Sequence, residues 1–221
     1  YEYSADNRFK STGLTNSGIP SLTQHQCAGE VWSGNFLNWA TMTRIDIIRN
    51  VLYGGKRDID GSTKIGGNTL TVLARSVIPR DVHAFVKVFT SDDINLFTQY
   101  TTTQITANTI SICNVNHTSL DDKPQMRVAD GNQSAGLIGW PFWSASELTQ
   151  CTWRGTEASR PVRPNSTTKK FEFEFDVLVE VCSDTNSSAD SRCRQYSDGN
   201  YKPAGVLQKF GEGGDLRFGL I

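Results

Sequence analysis

The sequence has no long apolar run, no excess of charge of one sign and only two methionines. No apolar stretch approaches the ~20 residues that a membrane-spanning helix requires, so we expect no membrane span. Lys and Arg number 22 and Asp and Glu number 23, for a formal net charge of -1 over 221 residues. The chain therefore has no global basic field that would gather nucleic acid or anionic lipid.

A secretory signal is also missing from the first residues, because Tyr1 and Glu2 open neither a basic nor an apolar region. We expect any export signal to lie outside these residues. The apolar share of 37% is enough to build a core. The charged share of 20% is too low for a disordered chain. Because the chain ends in an apolar run, Leu216 to Ile221, we interpret residues 1–221 as a single-domain fragment of something longer.

The short motifs of common catalytic and metal sites are absent from the sequence. It contains no GxSxG, GxGxxG, HExxH or P-loop, no CxxC pair and no zinc-type histidine spacing. The acidic pairs at 92–93 and 121–122 lack the alternating pattern of a calcium loop, so solvated turn carboxylates are the better interpretation. We therefore predict no catalytic residue, no metal ligand and no cofactor in these residues, and a non-enzymatic role.

Five scattered cysteines occur in a chain that is rich in Ser, Thr and Asn. This combination is typical of disulfides in an oxidising compartment, and five reduced thiols in a cytosolic protein are the alternative. We predict a bridge between Cys182 and Cys193, because the stretch between them has almost no apolar content. Such a bridge closes a short loop and stabilises by ~2–3 kcal/mol. Cys113 with Cys151 is a second candidate pair, and we expect the partner of Cys27 to lie outside these residues.

Residues 1–30 are predicted to be an irregular lead-in, and residues 33–55 a core helix. Ser33 can cap this helix, and Gly54 with Gly55 can end it. Its apolar residues follow a helical period and predict one buried stripe. The stripe consists of Phe36, Leu37, Ala40, Ile47, Ile48, Val51 and Leu52.

Strand-like patterns follow the helix. Residues 69–170 are predicted to hold strands and a long loop-rich insertion, with four prolines between 124 and 164. A long strand is predicted from Phe171 to Cys182, since its first half alternates aromatic and acidic residues. Residues 171–221 then supply this strand, the disulfide loop, a short helix at 205–210 and a terminal core strand at 216–221. The fold class is mixed, α+β or α/β.

Aromatic residues are concentrated in the proline-rich excursion. Such residues can stack on sugars or on a partner protein, or can form the small core of the excursion itself. The candidate interaction aromatics are Trp140, Phe142, Trp143 and Trp153.

Three segments carry a resemblance to a known family. They are the segment from Trp32 to Gly55, the segment from Thr71 to His83, and the segment from Gly199 to Gly211 closed by Leu216 to Ile221. In this order they resemble the N-terminal region of the PilC/PilY family of type IV pilus tip and biogenesis proteins. The resemblance brackets nearly the whole chain, whereas residues 90–170 are not aligned.

The resemblance implies an exported bacterial protein at the pilus tip, the outer membrane surface or outside the cell. It implies roles in pilus assembly, in opposing retraction and in adhesion, with pilins or minor pilins and the rest of the parent chain as partners. It also implies a partial von Willebrand A-like core of sheet and helix, with a large β-rich insertion held by disulfides. The DxSxS metal motif of such domains is absent here, so a divalent metal is expected only in parent segments outside these residues.

Three functional hypotheses follow. The first is a non-catalytic adhesion and assembly module of a type IV pilus, whose surface ligand is unknown. The second is a secreted hydrolase, which would need two carboxylates about 5–10 Å apart in a cleft. The third is a structural subunit of an extracellular filament, which would be present in many copies.

Overall fold

The computed structural model describes residues 1–12, 25–27, 29–65, 68–77, 85–116, 123–131, 172–182, 192–215, 217 and 219. These residues form three α-helices and eleven β-strands, and the fold is mixed α and β as predicted. The helices are α1 (Gly34–Thr41), α2 (Arg44–Tyr53) and α3 (Val206–Gly211). The strands are β1 (Glu2–Tyr3), β2 (Phe9–Lys10), β3 (Arg57–Ile65), β4 (Asn68–Ala74), β5 (Phe85–Thr90), β6 (Thr109–Asn116), β7 (Pro124–Asp130), β8 (Glu172–Asp176), β9 (Leu178–Val181), β10 (Cys193–Gln195) and β11 (Tyr201–Pro203).

One compact unit comprises Tyr1–Tyr3, Leu14–Thr41 and Val77–Val177. Its antiparallel sheet has the strand order β5-β6-β7-β8. Strand β6 is buried on both faces from Ile110 to Val115, which is the position expected for the centre of a covered sheet. Helix α1 belongs to this unit, and Asn114 of β6 donates a hydrogen bond to the Ala40 carbonyl at 2.8 Å.

The other compact unit comprises Ser4–Gly13, Met42–Ser76 and Leu178–Ile221. Its strands follow the order β2-β9-β4-β3, with β9 antiparallel to β4 and parallel to β2. Val72, Ala74 and Leu178 form the buried core of this sheet, and Ile59 and Leu70 pack against it. Strands β10 and β11 form a separate antiparallel hairpin.

The prediction of one core helix over 33–55 is wrong, because two helices occupy this range. Ser33 does cap the first, since its Oγ accepts a hydrogen bond from the Phe36 N–H at 3.3 Å. The chain leaves helical geometry at Thr43, whose φ of -89° and ψ of 168° are extended. Thr43 is the N-cap of α2 and forms a capping box with Asp46, so a new helix begins where the apolar period predicted a continuous one.

The predicted buried stripe is correct for α1 and wrong for α2. Phe36, Leu37 and Ala40 are buried. Ile47, Ile48, Val51 and Leu52 are exposed by 54%, 51%, 56% and 37%. The physical reason is that the capping box at Thr43 begins a separate helix, whose buried residue is the polar Asp46.

The predicted strand from Phe171 to Cys182 is two strands. β8 pairs with β7, whereas β9 pairs with β4 in the other sheet. The change occurs after Val177, whose N–H donates to the Pro124 carbonyl at 2.7 Å in the register of the β7–β8 ladder, and Pro124 has no N–H to return a second bond. The alternating half and the apolar half of the run therefore belong to different sheets.

Other predicted elements have mixed outcomes. A short helix near 205–210 is confirmed as α3. The irregular lead-in contains the two short strands β1 and β2. In the predicted terminal strand, Arg217 and Gly219 lie outside any strand, and its other members lie outside the described residues, as do residues 132–171 of the predicted insertion. Among the described helices, none has the length and apolarity needed to cross a membrane.

Candidate functional site

Asp46 is the centre of a buried polar network between α2 and Ser76, which lies two residues after the end of β4. Its Oδ1 accepts hydrogen bonds from the Ser76 N–H at 2.7 Å and from the Ser76 hydroxyl at 2.5 Å. Its Oδ2 accepts from the Thr43 N–H at 2.9 Å and from the Thr43 hydroxyl at 2.7 Å. A carboxylate has about four lone-pair positions, so this one is fully occupied within the chain. The geometry assigns Asp46 a positioning role.

Two arginines surround the same serine. Arg49 Nη1 donates to the Ser76 Oγ at 2.8 Å, and Arg75 Nη1 donates to the Ser76 carbonyl at 2.9 Å. Burial lowers the pKa of Arg75 to about 10, while the charge of Asp46 acts in the opposite direction. The guanidinium remains protonated at neutral pH, so buried charges of both signs meet at Ser76.

The Cys182–Cys193 disulfide connects the end of β9 to the start of β10. The two Cα atoms are 5.8 Å apart, and the sequence separation is 11 residues. Beyond the bridge, the Ala204 N–H donates to the Arg192 carbonyl at 2.9 Å, and the Arg194 guanidinium pairs with Glu212 at 3.1 Å. Arg194 also donates to the Gln208 carbonyl in α3. The disulfide therefore fixes a hairpin that carries α3.

Asp60 on β3 connects that hairpin to the sheet. Its carboxylate lies 2.6 Å from the Lys202 ammonium on β11 and 2.8 Å from the Arg57 guanidinium. Arg57 also donates to the Pro203 carbonyl at 3.1 Å. Partial burial acts to raise the pKa of Asp60, but the hydrogen bonds from Lys202 and Arg57 outweigh it and hold that pKa below its ordinary value of 3.8.

In the unit that contains α1, aromatic rings form a continuous cluster around Trp32. Trp32 is fully buried and contacts Phe36, Tyr100 and Phe175 at ring-centroid distances of 6.1, 5.5 and 5.7 Å. Burial raises the pKa of Tyr100 well above its ordinary value. The cluster is the hydrophobic centre on which α1 packs.

Trp39 extends this cluster to the surface. Its ring is 44% exposed and lies 5.4 Å from Phe36 and 6.0 Å from Phe89, with the Lys87 ammonium 5.1 Å from its centroid. Sequence reasoning named other aromatics and missed this one. The available signal was the spacing of Phe36 and Trp39 on one helix, which places both rings on the same side.

The predicted site residues have separate outcomes. Cys113 is buried and disulfide-bonded, while its predicted partner Cys151 lies outside the described residues. Cys27 is a free thiol. The candidate interaction aromatics also lie outside the described residues: Trp140, Phe142, Trp143 and Trp153. Among the residues that the structure describes, no three His, Cys, Asp or Glu side chains come together as metal ligands would.

Comparison with protein families gives one match over most of the chain. The profile described as "PilY1 homolog, small alpha/beta domain" matches residues 1–134. That range contains α1, α2 and the strands from β1 to β7.

Two curated relatives extend the similarity beyond this range. Both carry the name "Type IV pilus biogenesis factor PilY1 homolog" and come from Xylella fastidiosa strain Temecula1. One is 29% identical over 200 residues and the other 27% identical over 182 residues, which are 89% and 82% of this chain. The matched region is 13% of the length of each relative. No solved structure matches the chain.

Proposed function

Because the chain belongs to the family of PilY1 homolog small alpha/beta domains, we propose that it acts in type IV pilus biogenesis as a module at the cell surface. The observation that carries the proposal is the similarity over 89% of the chain to a type IV pilus biogenesis factor. The Cys182–Cys193 disulfide supports export, because such bridges persist in oxidising compartments. The names of the relatives favour this function over a secreted hydrolase or a repeated filament subunit.

The more specific form of the proposal places the protein at the pilus tip or the outer membrane surface. There it assists assembly, opposes retraction and contributes to adhesion. Its partners are pilins or minor pilins, the rest of its own polypeptide and a ligand on the surface to which the cell attaches. The role is binding rather than catalysis, and these residues act without a cofactor.

We also propose that these residues belong to a von Willebrand A-like region. Support comes from the resemblance of the segment that contains α2 to the helix that follows the metal motif in such regions. The native gene provides the test, since a DxSxS motif encoded upstream of Tyr1 would support the proposal. An upstream sequence without that motif would contradict it, and any divalent metal site would then have to be sought elsewhere.

A chromosomal deletion of the codons for residues 1–221 tests the pilus function. The expected result is loss of surface pili, seen by electron microscopy and by the amount of sheared pilin. The same deletion in a strain without retraction separates two roles, because pili that return there indicate that the protein opposes retraction. Normal piliation and attachment in the deletion strain would overturn the proposal.

Adhesion is tested separately with variants that leave pili in place. The double variant Trp140→Ala/Trp143→Ala is expected to lower attachment to a surface while piliation stays normal. Trp39→Ala is made in parallel, because Trp39 is the exposed indole of α1 and its removal tests that aromatic surface separately. Equal attachment by all three strains would remove the excursion aromatics from the adhesion proposal and leave the biogenesis role unaffected.

A further inference from the structure

Helix α2 presents its apolar side outward. With about 100° of rotation per residue, Ile45, Ile47, Ile48, Val51 and Leu52 fall within one arc of roughly 160°. All five are exposed, by between 37% and 56%. Asp46, Arg49 and Tyr53 occupy the opposite side, and Asp46 is buried. The usual arrangement of a surface helix, apolar side in and polar side out, is therefore reversed.

The hydrogen bonds of the buried side fix this orientation. Asp46 and Arg49 both bond to Ser76, so α2 cannot turn its apolar side inward without leaving buried charges unpaired. The end of the helix is fixed as well. The backbone of Gly205, at the N-cap of α3, packs directly on Leu52 and Tyr53. The outward apolar side is thus a property of the folded unit.

The exposed apolar residues are concentrated at this place. The described residues include seven large hydrophobic side chains that are exposed, and five of them are those of α2. A sixth, Phe210, lies on α3, which contacts α2. Scattered exposed apolar residues are ordinary, whereas a contiguous patch marks a surface that another element covers. We define the α2 patch as Ile45, Ile47, Ile48, Val51 and Leu52.

We propose that the α2 patch is the docking surface for another segment of the same polypeptide in the full-length protein. The matched region is only 13% of each curated relative, so most of the polypeptide of those relatives lies outside it. A segment joined by a short flexible linker has an effective concentration in the millimolar range, which favours it over a free partner for an apolar patch. The single charged residue within the arc is Arg44, so the occupant is an apolar face of a helix or sheet. This proposal does not depend on the pilus function.

Cysteine labelling in the full-length protein tests the proposal. Ile48→Cys and the matched control Asn50→Cys are made in a Cys27→Ser background, because Asn50 is exposed on the same helix outside the arc. Each variant is labelled with a maleimide dye as residues 1–221 alone and as the full-length gene product, after circular dichroism confirms folding. We expect the thiol at position 48 to react at least about ten-fold more slowly in the full-length protein, and the thiol at 50 to change little.

Three outcomes overturn the proposal. Equal labelling of position 48 in both proteins would show that the patch stays open. Protection of position 48 in residues 1–221 alone, together with a doubled mass by light scattering, would assign the patch to a second copy. Protection in the full-length protein only on mixing with purified pilin would assign it to a separate partner.

In a second measurement, Ile48→Lys should leave the melting temperature of residues 1–221 unchanged and make the full-length protein easier to cleave by protease, whereas Asn50→Lys should change neither.

Discussion

The carboxylate of Asp46 accepts hydrogen bonds from both the N–H and the hydroxyl of Ser76, which lies 30 residues further along the chain. The same carboxylate closes the capping box of α2 with Thr43. One side chain therefore begins a helix and fixes that helix to the end of β4. This double use explains why an acidic residue is the buried residue of α2 while its aliphatic neighbours are exposed.

Replacement of Asp46 by asparagine should destabilise the protein strongly. The new NH₂ group must face the N–H of either Thr43 or Ser76, so that N–H loses its acceptor. We expect the free energy of unfolding to fall by about 2–4 kcal/mol. Urea denaturation followed by far-UV circular dichroism measures the change. Asp58→Asn, at an exposed position of β3, is the control and should stay within about 0.5 kcal/mol of the parent. A urea midpoint for Asp46→Asn equal to that of the parent would contradict the positioning role of Asp46.

The contact of Gly205 with α2 gives a second prediction. A Cβ on Gly205 would meet the backbone of Leu52 and Tyr53, and backbone atoms cannot move aside as a flexible side chain can. Gly205→Ala should therefore lower stability by about 1–3 kcal/mol and lower the melting temperature. Gly219→Ala is the matched control, because nothing lies within 4 Å of its added Cβ. Equal melting temperatures for the two variants would show that α3 does not pack tightly on α2.

Local signals in the sequence were sufficient for several elements of this fold. Ser33 and Gly54 mark helix ends because capping depends on a few adjacent residues. The alternation from Glu172 to Asp176 predicts a strand because it depends only on the pleat of that strand. A disulfide between Cys182 and Cys193 could be proposed because nothing else would hold the polar stretch between them.

Features that depend on distant residues could not be read in the same way. The apolar stripe has no member between Ala40 and Ile47, but one polar turn is also compatible with a continuous helix, so the period alone does not reveal the break at Thr43. The orientation of α2 depends on Ser76, which carries no signal of its own until the fold brings it to Asp46. The division of the run from Phe171 to Cys182 between two sheets also depends on distant residues, because β8 pairs with β7 and β9 pairs with β4.

Asp60 gives a prediction about pH. Its pKa in the folded protein is below the ordinary 3.8, so between these two values the unfolded chain binds more protons than the folded one. The contribution of Asp60 to stability is therefore complete above the ordinary pKa and is lost as the pH falls through the folded pKa. Because the side chain is 37% exposed, solvent screening limits the contribution to about 0.5–1 kcal/mol.

The measurement compares Asp60→Asn with the parent by urea denaturation at neutral pH and at a series of acidic pH values. The difference between the two proteins should be largest at neutral pH and should shrink once the pH falls below 3.8. It should also shrink in high salt, since the pairs with Arg57 and Lys202 are close to solvent. A difference that grows on acidification would show that folding raises the pKa of Asp60 and does not lower it.

Removal of the Cys182–Cys193 bridge gives the last prediction. The bridge shortens a loop with a sequence separation of 11 residues, so its loss should lower the free energy of unfolding by about 2–3 kcal/mol. The double variant Cys182→Ser/Cys193→Ser should show this loss, whereas Cys27→Ser, which removes the free thiol, should not. Non-reducing mass spectrometry of the parent should find the two cysteines in one cross-linked peptide pair. Two free thiols at these positions would contradict the bridge, and the hairpin that carries α3 would then be attached to β3 by the Asp60–Lys202 ion pair and by the Arg57 hydrogen bond to the Pro203 carbonyl.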